Sequence, residues 1–350
     1  MAVFDDLGAC LVTGGGGFLG GALVRRLREQ GYRVTSVSRG RYPALDVLGV
    51  SQVELDLGTA TFDAVRRAVA GHPTVFHVAA LTGVWGPRES YWRTNVRGTQ
   101  VLLDAAVDEG CARFVHTSSP SVVFDGTDHL DAGPELPYPA RHRAHYPASK
   151  AEAERLVRAA NGLETPNGKL LTVALRPHLV FGPGDPHLLP RVIERARAGR
   201  LPIVGSGKNR VSLTYVDNGA HAHIAAAKSL VRSEVAAGRV YFVNQAESVE
   251  LWPWIFGILD ALGVPRPTRR LSSRAAFAAG AALERVWSVL RLAGEPPMTR
   301  FVAQQLGSTH TYDLGPARRD LGYEERVGLA EATERTIADL TRRFAPQRNP

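Results

Sequence analysis

Cysteine is scarce: two in 350 residues, Cys10 and Cys111. Each precedes a strand-like run, so buried free thiols are expected, in a reducing compartment rather than as a disulfide. Two cysteines cannot build a zinc site alone, and no histidines have ligand spacing, so no metal is expected. The start, MAVFDDLGACLV, lacks the basic n-region of a signal peptide. No run of 18 uncharged apolar residues occurs, so no segment reads as a membrane span. A cytoplasmic protein is expected. The longest apolar stretch, residues 275–294, is broken by Glu284, Arg285 and Arg291. Leu283, Val286, Trp287 and Leu290 fall there at helical spacing. They predict an amphipathic helix packed on its own protein, or else touching a membrane surface or a pathway enzyme. Acids are outnumbered, giving a formal charge of +8. The basic residues are scattered and no nucleic-acid motif is present; an anionic cofactor and an anionic substrate account for the excess as well.

What is present is an alternation. ACLVTG, YRVTSVSR, TVFHVAAL, RFVHTSS and LLTVALRP read as strands, separated by helical periods. This order predicts α/β architecture: a doubly wound parallel sheet, the dinucleotide-binding Rossmann fold, with a smaller C-terminal substrate lobe. The dinucleotide-binding domain is expected over 1–177, with chain returning near 211–245, and the lobe mainly over 178–345. The terminal APQRNP is expected to fray.

LVTGGGGFLGG (11–21) contains Thr13, Gly14, Gly17 and Gly20 between a strand and a helix. Glycines there let the backbone approach a pyrophosphate, held by the helix N–H groups. The alternative is a tight turn that binds nothing. A binder of NAD usually places an acid at the end of the second strand. Here Ser38 and Arg39 stand there, with Arg41 nearby. A guanidinium suits a 2′-phosphate, so NADP(H) is preferred over NAD(H). Asp56 either reaches the adenine or caps a turn.

YPASK (146–150) puts Tyr146 and Lys150 on one face of a helix that Pro147 opens. Glu154 and Arg158 are expected to pair at the same spacing. A cation about 4 Å away at an effective dielectric of about 20 is worth about 4 kcal/mol. That would lower the phenol by about three units and ready it for proton exchange. The alternative is an ordinary surface Tyr and Lys. Ser118 and Ser119 end a strand at the sheet's carboxyl edge, where either could meet a carbonyl oxygen or simply form a turn. Asn95 is either a helix N-cap or a support of the proton path to Lys150.

TGGGGFLG, VAAL (78–81), TNVRGT (94–99), HTSS (116–119), YPASK and LRPHLVFGPGD (175–185) together resemble the extended short-chain dehydrogenase/reductases. The resemblance implies Tyr146 as acid/base, Lys150 as its partner, Ser119 as the catalytic hydroxyl before Ser118, and Asn95 in support. It assigns Phe18, Leu19, Leu57, Ala79 and Ala80 to the cofactor, with Pro177 and His178 beside the nicotinamide. It also implies a homodimer. GVWGPRESYWRTNVRGTQVLLDAA and RFVHTSSPSVVF look like the 3β-hydroxysteroid dehydrogenase branch. RLAGEPPMTRFVAQQL (291–306) and YDLGPARRDLGY (312–323) resemble the bacterial 2-alkyl-3-oxoalkanoate reductases. Those enzymes reduce long-chain β-keto acids for olefin or β-lactone formation, so an apolar keto-acid substrate and NADPH are implied. The steroid branch normally carries a more apolar segment near 275–294, which speaks against a steroid here.

Val84, Trp85, Val122 and Leu179 are candidate walls for alkyl chains, or core. Arg88, Arg141, His145 and His178 are candidates for a substrate carboxylate, with no ground to choose among them. Three competing functions remain: an NAD-linked sterol or 3β-hydroxysteroid dehydrogenase, a nucleotide-sugar epimerase or reductase with Arg210 on the diphosphate, and a non-catalytic sensor of NADP. Arg39 speaks against the first, the apolar C-terminal lobe against the second, and Ser119, Tyr146 and Lys150 together against the third.

Overall fold

Short apolar runs closed by turn residues become the strands. The computed structural model describes residues 6–344; the terminal APQRNP lies outside them. The first five strands are β1 (Cys10–Thr13), β2 (Val34–Ser38), β3 (Ser51–Glu54), β4 (Thr74–His77) and β5 (Arg113–Thr117). Two later strands, Gly168–Pro177 and Val240–Val243, complete the parallel sheet. Its order is Val240–Val243, Gly168–Pro177, β5, β4, β1, β2, β3. The winding reverses between β1 and β4, so their carboxyl ends open a crevice, the place where such sheets bind ligands.

Both faces of the sheet are covered, as a parallel sheet requires. Neighbouring residues go to opposite sides: Val12, Phe76 and Val115 pack into one core, Leu11, Val75 and Phe114 into the other. Each such side chain contributes about 1.5–3 kcal/mol on burial. The first helix, α1 (Phe18–Glu29), buries Leu23, Val24 and Leu27, and Gly31 at φ +83° ends it. The helix Val216–Arg232 also packs against that face, with Ile224 and Leu230 in the same core.

The smaller part is built around a four-stranded sheet: Val249–Glu250, Arg210–Val211, His310–Tyr312, His129–Ala132. The last of these comes from the first half of the chain. Conversely, Val240–Val243 returns to the main sheet through Leu175 and Pro177. The chain therefore crosses between the two parts several times.

The helix over Ser273–Leu290 differs from expectation in its buried face. Ala276, Gly280 and Glu284 form the packed seam, and a Cβ on Gly280 would lie 2.6 Å from the Thr299 carbonyl carbon. Small residues let the two backbones touch. Glu284 accepts the Arg300 N–H at 2.7 Å and pairs with its guanidinium. Leu283 and Trp287 are half-buried, but Val286, Val289 and Leu290 face solvent. Among the described residues no helix is long and apolar enough to cross a membrane. Cys10 and Cys111 are buried and free, and burial pushes both thiols up to about 12.

Candidate active site

The glycine turn forms the crevice floor. Gly14 has φ +72°, and a Cβ there would lie 3.0 Å from the Ala79 Cα at the end of β4. A Cβ on Gly20 would sit 2.1 Å from the Gly14 carbonyl oxygen, so only glycine lets α1 close against the strand. Gly17 caps α1 without a side-chain bond, and no acid occupies the first turn. The free N–H groups that open the helix beside Phe18, Leu19 and Gly20 border the crevice. That is a cradle for an anion.

The crevice measures ≈ 520 Å³. Gly14, Gly17, Arg39, Asp56, Leu57, Ala79, Ala80, Ser119, Tyr146, Lys150 and Pro177 all border it. Arg39 is exposed and has no hydrogen-bond or ion-pair partner among the described residues. Arg41 is committed elsewhere, to Asp46 at 2.8 Å. Asp56 caps its own turn, with Oδ1 accepting the Gly58 N–H at 2.9 Å, while bordering the crevice. Thr13 departs from its expected place on the cofactor surface. It is fully buried, and its hydroxyl meets His77 Nδ1 at 2.8 Å and accepts the Ala79 N–H at 3.1 Å. It ties β1 to β4 and so sets Ala79.

Tyr146 lies in the first turn of the helix His145–Ala159, with Pro147 next to it where no N–H is needed. The two serines part company. Ser118 Oγ donates to the buried Glu154 Oε2 at 2.5 Å. Ser119 Oγ stands 2.9 Å from Ser121 Oγ, and Ser119 borders the crevice together with Tyr146. Asn95 is not an N-cap. It sits inside a π-helical turn, Trp92–Arg97, and is buried. Its amide clamps Leu81, accepting the N–H at 2.7 Å and donating to the carbonyl at 3.0 Å, and donates to Ser149 at 2.9 Å. It thereby joins the end of β4 to the tyrosine's helix.

The electrostatics correct one expectation. Tyr146 is not lowered by Lys150. Burial raises its phenol above the usual value, the neighbouring Ser119 hydroxyl offsets part of that, and Tyr91 nearby adds to the rise. Lys150 turns instead to β5: Nζ donates to the Thr117 carbonyl at 2.5 Å and lies 3.2 Å from His116 Nε2. Burial takes the Lys150 ammonium down to about 7, with Glu154 pulling it back up. Glu154 does not pair with Arg158, because it points inward. Arg176 grips it through two bonds, Nη2 to Oε1 at 2.6 Å and Nε to Oε2 at 3.0 Å, and Tyr138 donates at 2.6 Å. These partners hold the Glu154 carboxyl below its usual range although burial pushes it up.

His178 also departs from expectation. Its ring turns into the smaller part, with Nε2 2.7 Å from His310 Nδ1, and does not border the crevice. Val122 is fully buried core rather than a substrate wall. Arg88 lies over the Trp92 ring at 3.9 Å, and Arg210 donates to Ser248 at 2.8 Å. Sequence reasoning passed over His116, Tyr91 and the Glu154–Arg176 pair. Polar residues inside otherwise apolar strands, His116 in RFVHT and Arg176 in VALRP, were the available signal.

A sequence profile described as the 3-beta hydroxysteroid dehydrogenase/isomerase family matches residues 11–273. A 2-alkyl-3-oxoalkanoate reductase of Stenotrophomonas maltophilia is 46% identical over 94% of this chain and 98% of its own. A protein of the same name from Shewanella oneidensis is 42% identical over 94% of this chain and 85% of its own. Among solved structures, MoeE5 in complex with UDP-glucose and NAD superposes with a TM-score of 0.70 at 27% identity. It covers 97% of this chain and 100% of its own.

Proposed function

The chain belongs to the 3-beta hydroxysteroid dehydrogenase/isomerase family and is a nicotinamide-dependent oxidoreductase of the alcohol–ketone pair, and we propose that it reduces the 3-keto group of a long-chain 2-alkyl-3-oxo acid with NADPH. One observation carries the reading: Ser119, Tyr146 and Lys150 all border the crevice that the glycine turn begins. Beside them the crevice is lined by Leu81, Val180 and Leu188, apolar side chains suited to alkyl groups.

A bound reduced nicotinamide supplies the hydride. Tyr146 Oη gives its proton to the ketone oxygen as charge develops there. Ser119 Oγ donates to the same oxygen and steadies it. A phenol held neutral by burial is in the protonation state a donor needs. Lys150 has two bonds to β5 and keeps one N–H direction for the cofactor's ribose. Ser118 cannot replace Ser119 while its hydroxyl serves Glu154. The unpartnered Arg39 at the far end suits a 2′-phosphate.

Tyr146→Phe tests the proposal. Turnover of a 2-alkyl-3-oxo acid should fall by about 10²- to 10⁴-fold, with NADPH binding retained in a fluorescence titration. Unchanged turnover removes Tyr146 from the reaction. A parallel panel of ketosteroids and nucleotide sugars decides the substrate: NADPH consumption with a steroid alone, and none with keto acids, would replace the assignment.

A further inference from the structure

Two buried histidines stand side by side under the crevice, on β4 and β5, with ring centroids 5.3 Å apart. His77 is fully satisfied. Its Nδ1 meets Thr13 Oγ1 at 2.8 Å and its Nε2 meets Thr99 Oγ1 at 2.9 Å. His116 is not. Its Nε2 lies 3.2 Å from Lys150 Nζ, and its Nδ1 is buried with no partner. A buried polar atom without a partner costs about 1–3 kcal/mol. A leucine at 116 would carry no such cost. The fold therefore bears a penalty whose return is the contact to Lys150.

We propose that His116 is a positioning residue for Lys150: its Nε2 lone pair accepts an ammonium N–H and, with the Thr117 carbonyl, aims the remaining donor at the crevice. The ring proton then resides on Nδ1. The groups that face this contact are few. Glu154 lies on Lys150's own helix, His77 on β4 and His223 on the helix Val216–Arg232, where its Nε2 meets Thr117 Oγ1 at 2.7 Å. Neither histidine carries charge at neutral pH, since burial takes both well down, to about 3 and about 4. Glu154 pairs with Arg176 at 2.6 Å and reaches Lys150 only as a through-space charge that favours the ammonium. The hydrogen bonds that aim the lysine come from two neutral acceptors, and His116 is one of them.

This rests on the reductase reading above, in which Lys150 works as an ammonium. The test is the pH profile of kcat/KM for the keto acid in wild type, His116→Leu and His116→Gln. A hydrogen bond to the charged form favours it. Removing that bond in His116→Leu should move the alkaline limb to lower pH by about one unit and raise the KM for NADPH. His116→Gln, whose side-chain oxygen can accept, should restore the limb. A merely structural histidine would lower Tm and scale activity equally at every pH. Coincident limbs in all three proteins overturn the proposal. ¹⁵N shifts of wild-type His116 give a second readout that needs no variant: a proton on Nδ1 is expected, and a proton on Nε2 overturns it. Wild type that reduces no keto acid defeats the reductase reading instead, and the ¹⁵N measurement still decides the contact.

Discussion

The two ends of the crevice are built on opposite principles. At the β2–β3 end, Arg39 is exposed and has no partner among the described residues, and the Asp56 carboxylate makes one bond within its own turn. At the β5 end, Glu154 is 0% exposed, Arg176 2% and Lys150 2%. There every oxygen of Glu154 is engaged, by Arg176, Ser118 and Tyr138. Water can rehydrate whatever is changed at the open end. At the closed end a lost partner leaves a buried charge behind. Ligand preference is thus separable from stability at one end, while at the other the chemistry is fastened to the fold.

The sharpest way to break that contrast is Arg176→Leu. It strands the Glu154 carboxylate, and breaking one side of a buried pair costs about 3–5 kcal/mol. Denaturant unfolding should show that loss. The double variant Arg176→Met with Glu154→Leu should recover most of the stability, since apolar groups can replace a buried pair. Turnover should stay low, because Ser118 loses its anchor and the strand end carrying Ser119 is freed. A single-variant cost below about 1 kcal/mol would mean that the closed end is no more tightly tied than the open one.

The same division governs what the sequence discloses. The glycine turn, β1, β2, β4, β5 and the tyrosine helix were legible because each depends on local signals: a period, a punctuating glycine, a proline in a first turn. Tyr146, Lys150 and Ser119 were singled out by spacing and resemblance, and all three border the crevice. What stayed hidden depends on pairing between distant segments. Glu154 and Arg176 are 22 residues apart and on different elements, so the i, i+4 rule pointed to Arg158 instead. His178 and His310 are 132 apart. Asn95 could be read as a cap as well as a support of the proton path, because a π-helical turn inside a helix has no reliable signature in composition. The amphipathic pattern of the helix Ser273–Leu290 misled for a related reason. A seam of Ala276 and Gly280 packs by close backbone approach, which hydrophobic periodicity does not register.

Lys150 offers a graded test of the closed end. Its folded value is about 7 against an ordinary value of 10.5. The unfolded chain binds the extra proton between those two values, so the cost of burying Lys150 is fully present below about pH 7. It shrinks as pH rises toward 10.5, and stability from this group rises with pH across that window. Lys150→Met removes the dependence. The gap in unfolding free energy between the variant and wild type should therefore be widest near pH 6–7 and narrow by about 1.4 kcal/mol per pH unit at most above that. Parallel curves from pH 7 to 10 would show that Lys150 is hydrated in the free protein, and the closed end would have to be redrawn as open.

The smallest effect on the fold, and the cleanest on ligand choice, belongs to Arg39→Ser. Nothing among the described residues depends on the guanidinium, so stability should change by no more than about 0.5 kcal/mol. A charge-assisted, paired contact to a phosphate is worth about 1.5–3 kcal/mol. The KM for NADPH should accordingly rise by about tenfold to a hundredfold, while that for NADH moves little. Because the site is exposed, the contact is screened by salt. Wild-type affinity for NADPH should fall between low and high ionic strength more steeply than that of Arg39→Ser. If both coenzymes weaken equally, Arg39 is acting on the shared adenosine rather than on the 2′-phosphate. The open end would then hold its ligand by shape, and the proposed preference for NADPH would lose its support.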